Sequence, residues 1–212
     1  MKIAPGSRLL FIGDSVTDCD RARPIGAGSR DALGKGYVAE IDAALGTKAG
    51  KAAIQVTNMG ISGNTVRNLA ERWETDVIEL KPDWLSVMIG INDVWRQFDA
   101  RKAVAAEAVM PDEFERTYDR LITRVRPGLK GLVLMSPFYV QDLRSDPMRG
   151  RMDEYGAIVS GLSKKHGATF VDVQAAIDAA LEWTDSTLIA GDRVHPTPEG
   201  HRILARAFLG AA

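Results

Sequence analysis

The sequence predicts an α/β fold, an open parallel sheet with helices on both faces. Five short runs rich in aliphatic and β-branched residues alternate with segments whose apolar residues recur at helical spacing. That alternation implies crossover units, and nothing along the 212 residues reads as a linker, an internal repeat or a low-complexity stretch. Residues 1–212 are therefore read as one domain, with 45% hydrophobic residues to supply its core.

The strands are expected at residues 9–12, 54–58, 85–89, 132–136 and 169–173, each apolar enough to be buried on both faces. Helical periodicity covers residues 37–45, 66–80, 113–125, 152–166 and 175–183, and residues 199–209 close the chain. In such sheets ligands bind beyond the carboxyl ends of the strands. Polar motifs follow the first three strands at those ends: Gly13-Asp14-Ser15, Gly60-Ile61-Ser62-Gly63-Asn64-Thr65 and Gly90-Ile91-Asn92-Asp93.

Composition narrows the partners. Lysine and arginine total 27 against 28 acidic residues, so the net charge of −1 provides no field to gather nucleic acid or anionic lipid. Residues 1–7 lack the apolar stretch of a secretory signal, and no run approaches the ~20 apolar residues of a membrane span. The single cysteine, Cys19, has no disulfide partner within the chain and no metal-type spacing. A cytoplasmic protein is expected, with Cys19 near enough to Ser15 to line a site there, or simply packed.

Ser15 is a candidate nucleophile because the motif drives an apolar strand into a turn that presents one hydroxyl, although Gly-Asp-Ser also makes ordinary turns. Serine needs a base, and the base needs a group that fixes its tautomer. Asp192 and His195, in the loop before the last helix, can supply both if the carboxylate takes the Nδ1 proton and Nε2 faces Ser15. His166 follows Lys164 and Lys165 at a helix end and is most simply a favourable C-terminal charge; His201 reads as a surface or cap residue. Negative charge developing on an ester oxygen requires donors, and three are available: the N–H groups of Ser15 and Gly63 and the Asn92 amide. Each has a plainer alternative, a Ser62-Gly63-Asn64 turn or an Asn92 or Asp93 cap on a helix through Val94 and Trp95. Their joint occurrence on successive strand ends favours catalysis.

With Ser15, Gly63, Asn92 and His195 in this order, the chain resembles the SGNH, or GDSL-type, hydrolases. The resemblance implies a flavodoxin-like three-layer α/β/α sandwich with a five-stranded parallel sheet. It also implies a Ser15-His195-Asp192 triad, an oxyanion hole of Ser15, Gly63 and Asn92, and no cofactor or metal. The segments around Arg21-Ala22-Arg23-Pro24, Arg67, Arg96-Gln97 and residues 203–208 are similar to intracellular bacterial acetylxylan esterases. These deacetylate short xylo-oligosaccharides, and the group implies a homo-oligomer. Two departures are Val16, where many members have leucine, and Gly191, where the nearest relatives would have an aromatic.

A sugar substrate also finds support in the residues after the third and fourth strands, where Trp95, Arg96, Gln97, Phe98, Phe138 and Tyr139 could line a site mouth. Asp14, Trp95, Arg96 and Tyr139 are taken as the substrate-binding set. The expected activity is removal of acetyl groups from acetylated sugars. The competing readings are a thioesterase or lysophospholipase, a catalytically silent carbohydrate-binding module, and a metal-dependent phosphoesterase using Asp14, Asp18, Asp93 and His195.

Overall fold

The computed structural model describes residues 2–46, 53–101 and 106–211. Six strands form one sheet: β1 (Arg8–Gly13), β2 (Gly26–Ala27), β3 (Gln55–Asn58), β4 (Trp84–Met88), β5 (Gly131–Met135) and β6 (Thr169–Val171). Their spatial order is β2-β3-β1-β4-β5-β6, parallel throughout except that β2 runs antiparallel to β3. The five expected strands are present, and a sixth is added. β2 is two residues long, pairing Gly26 with Asn58 and Ala27 with Thr57, too short to show any periodicity in the sequence.

Alternation along each strand divides the interior into two cores. Leu10, Ile12, Leu85, Val87, Leu132 and Leu134 face one cluster, completed by α3 (Val66–Trp73), α4 (Ile91–Phe98), α5 (Pro111–Val125) and α6 (Pro147–His166). Leu9, Phe11, Met88, Val133 and Met135 face the other, covered by α2 (Tyr37–Gly46), α7 (Val173–Leu181) and α9 (Pro198–Gly210). The result is a three-layer α/β/α sandwich. The described residues also include two single-turn α-helices, α1 (Ser15–Asp18) and α8 (Ser186–Ile189).

Helix boundaries follow caps more than apolar spacing. α6 starts five residues before the expected Met152, because Asp146 accepts the Arg149 N–H at 2.9 Å and Pro147 occupies the first turn. α7 likewise starts at Val173, where Asp172 accepts the Ala175 N–H at 2.9 Å. The helix expected over 66–80 is α-helical only to Trp73 and continues as a π-turn, Glu74–Ile78.

Without the edge strand β2, the order matches the flavodoxin-like pattern, with β1 at the point where strand order reverses. The loops after β1 and β3 meet there. A Cβ on Gly60 would lie 2.2 Å from the Asp18 nitrogen, so only glycine permits that approach. Asn58, fully buried, ties the same loops: its amide donates to the carbonyls of Thr17 (2.7 Å) and Leu33 (2.8 Å), while its oxygen accepts the Gly60 N–H (2.9 Å). Gly60→Ala is expected to cost at least the ~1–3 kcal/mol of an overpacked site, read as a lower urea midpoint.

His201 joins α9 to α2. Expected at the surface, it is instead 5% exposed. Its ring lies parallel to that of Tyr37, and its Nδ1 accepts the Tyr37 N–H at 3.2 Å. Burial pushes its pKa down to about 4. The unfolded chain therefore takes up this proton first, and the stability contributed by neutral His201 is complete above the ordinary imidazole pKa of about 6.5 and is lost as pH falls towards 4. The urea-unfolding free energy of wild type minus that of His201→Asn should fall across this window, by up to about 1.4 kcal/mol per pH unit. A pH-independent difference would contradict the buried neutral ring.

Candidate active site

The site forms where the loops after β1, β3 and β4 meet the loop before α9. β1 ends in a turn stabilised by its own sequence: the Asp14 carboxylate accepts the Val16 N–H at 3.0 Å and caps the single turn of α1. Ser15 is the first residue of that turn, so its N–H is one of the orphan donors of a helix start. Its Oγ lies 3.0 Å from His195 Nε2.

His195 is held from behind. Asp192 Oδ2 is 2.6 Å from His195 Nδ1, and Asp192 Oδ1 accepts the N–H groups of Val194 (3.0 Å) and His195 (2.7 Å). Partial burial works to raise the Asp192 pKa, but the His195 ring and these two N–H groups outweigh it and hold the carboxyl below its ordinary range. A carboxylate on Nδ1 leaves Nε2 as the acceptor facing Ser15. The arrangement sits at the surface, with the His195 and Asp192 side chains 57% and 56% exposed.

The Gly60–Asn64 segment supplies the opposite wall. The Asn64 N–H donates to the Ile61 carbonyl at 3.2 Å, closing a turn in which Gly63 takes φ +80°, a left-handed value that favours glycine. The Gly63 N–H makes no hydrogen bond within the described residues. Asn92 lies in the first turn of α4, whose N-cap is Gly90, so neither Asn92 nor Asp93 is the cap. The Asn92 amide donates one hydrogen to the Asn64 carbonyl at 3.0 Å and keeps a second. Ser15, Gly63, Asn92, Asp192 and His195 all line one cleft of about 500 Å³, together with Val16, Cys19, Asp20, Ser62, Trp95, Val194, Pro196 and His201.

The substrate-binding set separates. Trp95 lines the cleft and is 39% exposed. Asp14 does not reach it: the carboxylate is 2% exposed and capping the Ser15 turn, and burial pushes its pKa up to about 7 despite the Val16 N–H. Arg96 turns onto the Gly63 carbonyl (2.7 Å) and pairs with Glu107 (3.5 Å). Tyr139 is half-buried against the core, its N–H donating to Gln174 Oε1 at 2.8 Å. Phe138 is buried, and the Gln97 amide donates to the carbonyls of Asp93 and Val109 and to the Tyr155 hydroxyl. The lining of the cleft by Cys19 and His201 was open or unforeseen in the sequence; Cys19 Sγ lies 3.4 Å from His201 Nε2, and burial raises the thiol pKa.

Three buried or half-buried guanidiniums that the sequence did not single out as structural hold the Gly63 loop. Arg21 donates to the Gly60 carbonyl (2.7 Å), and Arg72 donates to the Met59 and Gly13 carbonyls (2.7 and 3.0 Å) and to Asn64 Oδ1 (2.7 Å). Arg96 is the third. From below, Asp18 Oδ2 accepts the Ser62 N–H (3.0 Å) and hydroxyl (2.9 Å) and pairs with Arg23 (2.6 Å). Burial works to raise the Asp18 pKa, but Arg23 and Ser62 more than offset it. Asp93 is also engaged, its Oδ1 accepting the Val66 N–H at 3.0 Å, and burial pushes its pKa up to about 7. Among the described residues, no group of three or more His, Cys, Asp or Glu is placed to hold a metal ion.

The GDSL-like Lipase/Acylhydrolase family model matches residues 11–203. An acetylxylan esterase of Geobacillus stearothermophilus is 52% identical over 209 residues, covering 99% of this chain and 95% of that protein. The crystal structure of Axe2, an acetylxylan esterase from Geobacillus stearothermophilus, superposes with a TM-score of 0.96 at 51% identity, covering 100% of this chain and 96% of that one. Axe2 has also been solved as catalytic mutants in which a serine, an aspartate or a histidine is replaced by alanine. LAE5, an alpha/beta hydrolase from the metagenome of Lake Arreo in Spain, gives a TM-score of 0.94 at 45% identity, covering 99% of this chain and 96% of that one. A match over nearly the whole sequence, on a fold that brings the motif residues into one cleft, makes this chain a member of the GDSL-like lipase/acylhydrolase family.

Proposed function

We propose that the protein is a serine carboxylic-ester hydrolase that removes acetyl groups from acetylated xylo-oligosaccharides or related sugars. The observation that carries this reading is the unbroken line Ser15 Oγ, His195 Nε2, His195 Nδ1, Asp192 Oδ2, with links of 3.0 and 2.6 Å, opening into the cleft that Gly63 and Asn92 share. The acetyl specificity is supported by the similarity to acetylxylan esterases over almost the full chain.

Ser15 Oγ attacks the acetyl carbonyl as His195 Nε2 takes its proton. The tetrahedral oxyanion is met by the N–H groups of Ser15 and Gly63 and by the free hydrogen of the Asn92 amide. The imidazolium, balanced by Asp192, then protonates the departing sugar hydroxyl, leaving acetyl on Ser15. Water deprotonated by His195 attacks this ester, and collapse returns the proton to Ser15 and releases acetate. The half-exposed indole of Trp95 offers an apolar face at the cleft for a sugar ring. Cytoplasmic placement and a homo-oligomer belong to the same proposal; no helix among the described residues is long and apolar enough to cross a membrane.

The phosphoesterase reading loses its ligands, since Asp14 caps a turn, Asp18 is occupied by Arg23 and Ser62, and Asp93 takes the Val66 N–H. An acyl ladder from acetyl to long-chain esters and thioesters separates the proposed enzyme, which fails beyond short chains, from a thioesterase or lysophospholipase.

Ser15→Ala should fold with an unchanged circular dichroism spectrum and lose nearly all activity on acetylated xylose. Intact mass should show a serine-reactive phosphonate on wild type alone; label mapped to Ser62 or Ser136 would reassign the nucleophile. Asp192→Asn keeps the loop acceptor but favours the wrong tautomer, and the expected loss of kcat approaches ~10⁴-fold, the effect of the same change in a serine-protease triad. Near-wild-type kcat in this variant would remove Asp192 from the relay.

A further inference from the structure

We propose that Arg96 is a positioning residue for the oxyanion site: by holding the Gly63 carbonyl it fixes the direction of the Gly63 N–H, and with Asn92 it works as one unit carried by α4. This inference rests on the reading of Ser15, Gly63 and Asn92 as the oxyanion donors.

The Gly63 N–H and carbonyl belong to two peptide planes that pivot at a glycine Cα, the residue with the widest choice of backbone angles. A donor on such a pivot needs an outside restraint to stay aimed, because each free dihedral adds entropy that must be removed when charge develops. Arg96 supplies that restraint. Its guanidinium donates to the Gly63 carbonyl at 2.7 Å, its side chain is only 15% exposed, and Glu107 at 3.5 Å holds another of its nitrogens.

Asn92 stands one helical turn before Arg96, on the same side of α4, and its amide donates to the next carbonyl, that of Asn64, at 3.0 Å. Asp93, between them, accepts the Val66 N–H at 3.0 Å. One helix thus grips residues 63, 64 and 66 by three successive ties. The other restraints on the loop act on its neighbours: Arg21 on Gly60, Arg72 on Met59 and the Asn64 side chain, and Asp18 on Ser62. The Asn64 N–H, in the same peptide plane as the Gly63 carbonyl, donates to the Ile61 carbonyl at 3.2 Å, so Arg96 acts together with that turn bond; among the described side chains, Arg96 alone bonds directly to Gly63.

The ester oxygen reaches full charge only in the transition state, so a misaimed Gly63 N–H lowers kcat and leaves ground-state binding largely intact. The Asn92 tie predicts coupling. Once Asn92 is removed, the loop has already lost its alignment to α4, and removal of Arg96 costs less than it does in wild type.

The experiment compares wild type, Arg96→Met, Arg96→Lys, Asn92→Ala, the Asn92→Ala/Arg96→Met double variant and Ser15→Ala. The readouts are kcat and KM on 4-nitrophenyl acetate and acetylated xylose, inactivation by diethyl 4-nitrophenyl phosphate, and thermal midpoint. Arg96→Met should lower kcat about 10- to 100-fold with KM within about threefold, and slow phosphorylation of Ser15 in parallel. Arg96→Lys, which keeps the charge without the planar fork, should fall between wild type and Arg96→Met. In the Asn92→Ala background the same Arg96→Met change should cost less than about threefold. A raised KM with unchanged kcat would make Arg96 a sugar contact and overturn the proposal, as would losses that multiply independently. Should Arg96→Met fail to fold, Arg96→Lys decides, and wild-type kcat in that variant counts against the proposal. Activity surviving in Ser15→Ala would instead refute the underlying hydrolase reading, a result distinct from any of these.

Discussion

The approach of the β3 loop to the β1 turn governs how the site is built. Gly60 packs on the backbone of Asp18 with no room for a Cβ, and the buried Asn58 amide directs its hydrogen bonds to joining these loops. Moving the loops apart would strand a fully buried amide and open a gap beside Ser15, so the contact is enforced by polar desolvation as well as by shape. Because β1 lies where the strand order reverses, the same contact fixes the height of Ser15 relative to Gly63.

Around that contact the charged residues serve mainly as scaffolding. Arginines 21, 72 and 96 direct their donors at main-chain carbonyls of the loops, and Asp14, Asp18 and Asp93 accept main-chain N–H groups. The carbonyls of Met59, Gly60, Gly63 and Asn64 and the N–H of Ser62 are engaged by these side chains and Asn92, while the Gly63 N–H, at the cleft, keeps its hydrogen. A site of this kind completes its reorganisation during folding, before any substrate arrives. By contrast the Asp192–His195 segment is locally assembled and surface-exposed, held by hydrogen bonds spanning two or three residues.

Much of this was legible in the sequence. The five parallel strands were visible because strands buried on both faces are nearly continuous apolar runs, and the Ser15, Gly63, Asn92 and Asp192-His195 motifs stood out because each follows a strand or precedes a helix. The misses have physical reasons. A two-residue strand has no period, and the early starts of α6 and α7 are set by the caps Asp146 and Asp172, which apolar spacing does not register. Asp14, beside the nucleophile, and Arg96, after the third strand, were assigned to substrate because a charged residue at a strand end looks alike in sequence whether it faces the cleft or the backbone. Arg72 sits on an amphipathic helix where an arginine ordinarily faces water, and His201 likewise reads as surface until α2 is placed over it.

The two ends of the sheet are of very different width from its middle. β2 contributes two residues and β6 three, whereas β1 spans six. A sheet tapered in this way offers little unpaired backbone for another chain to zip onto, and the antiparallel β2 covers part of the β3 border that would otherwise extend the ladder. Strand exchange and edge-to-edge polymerisation are thereby discouraged.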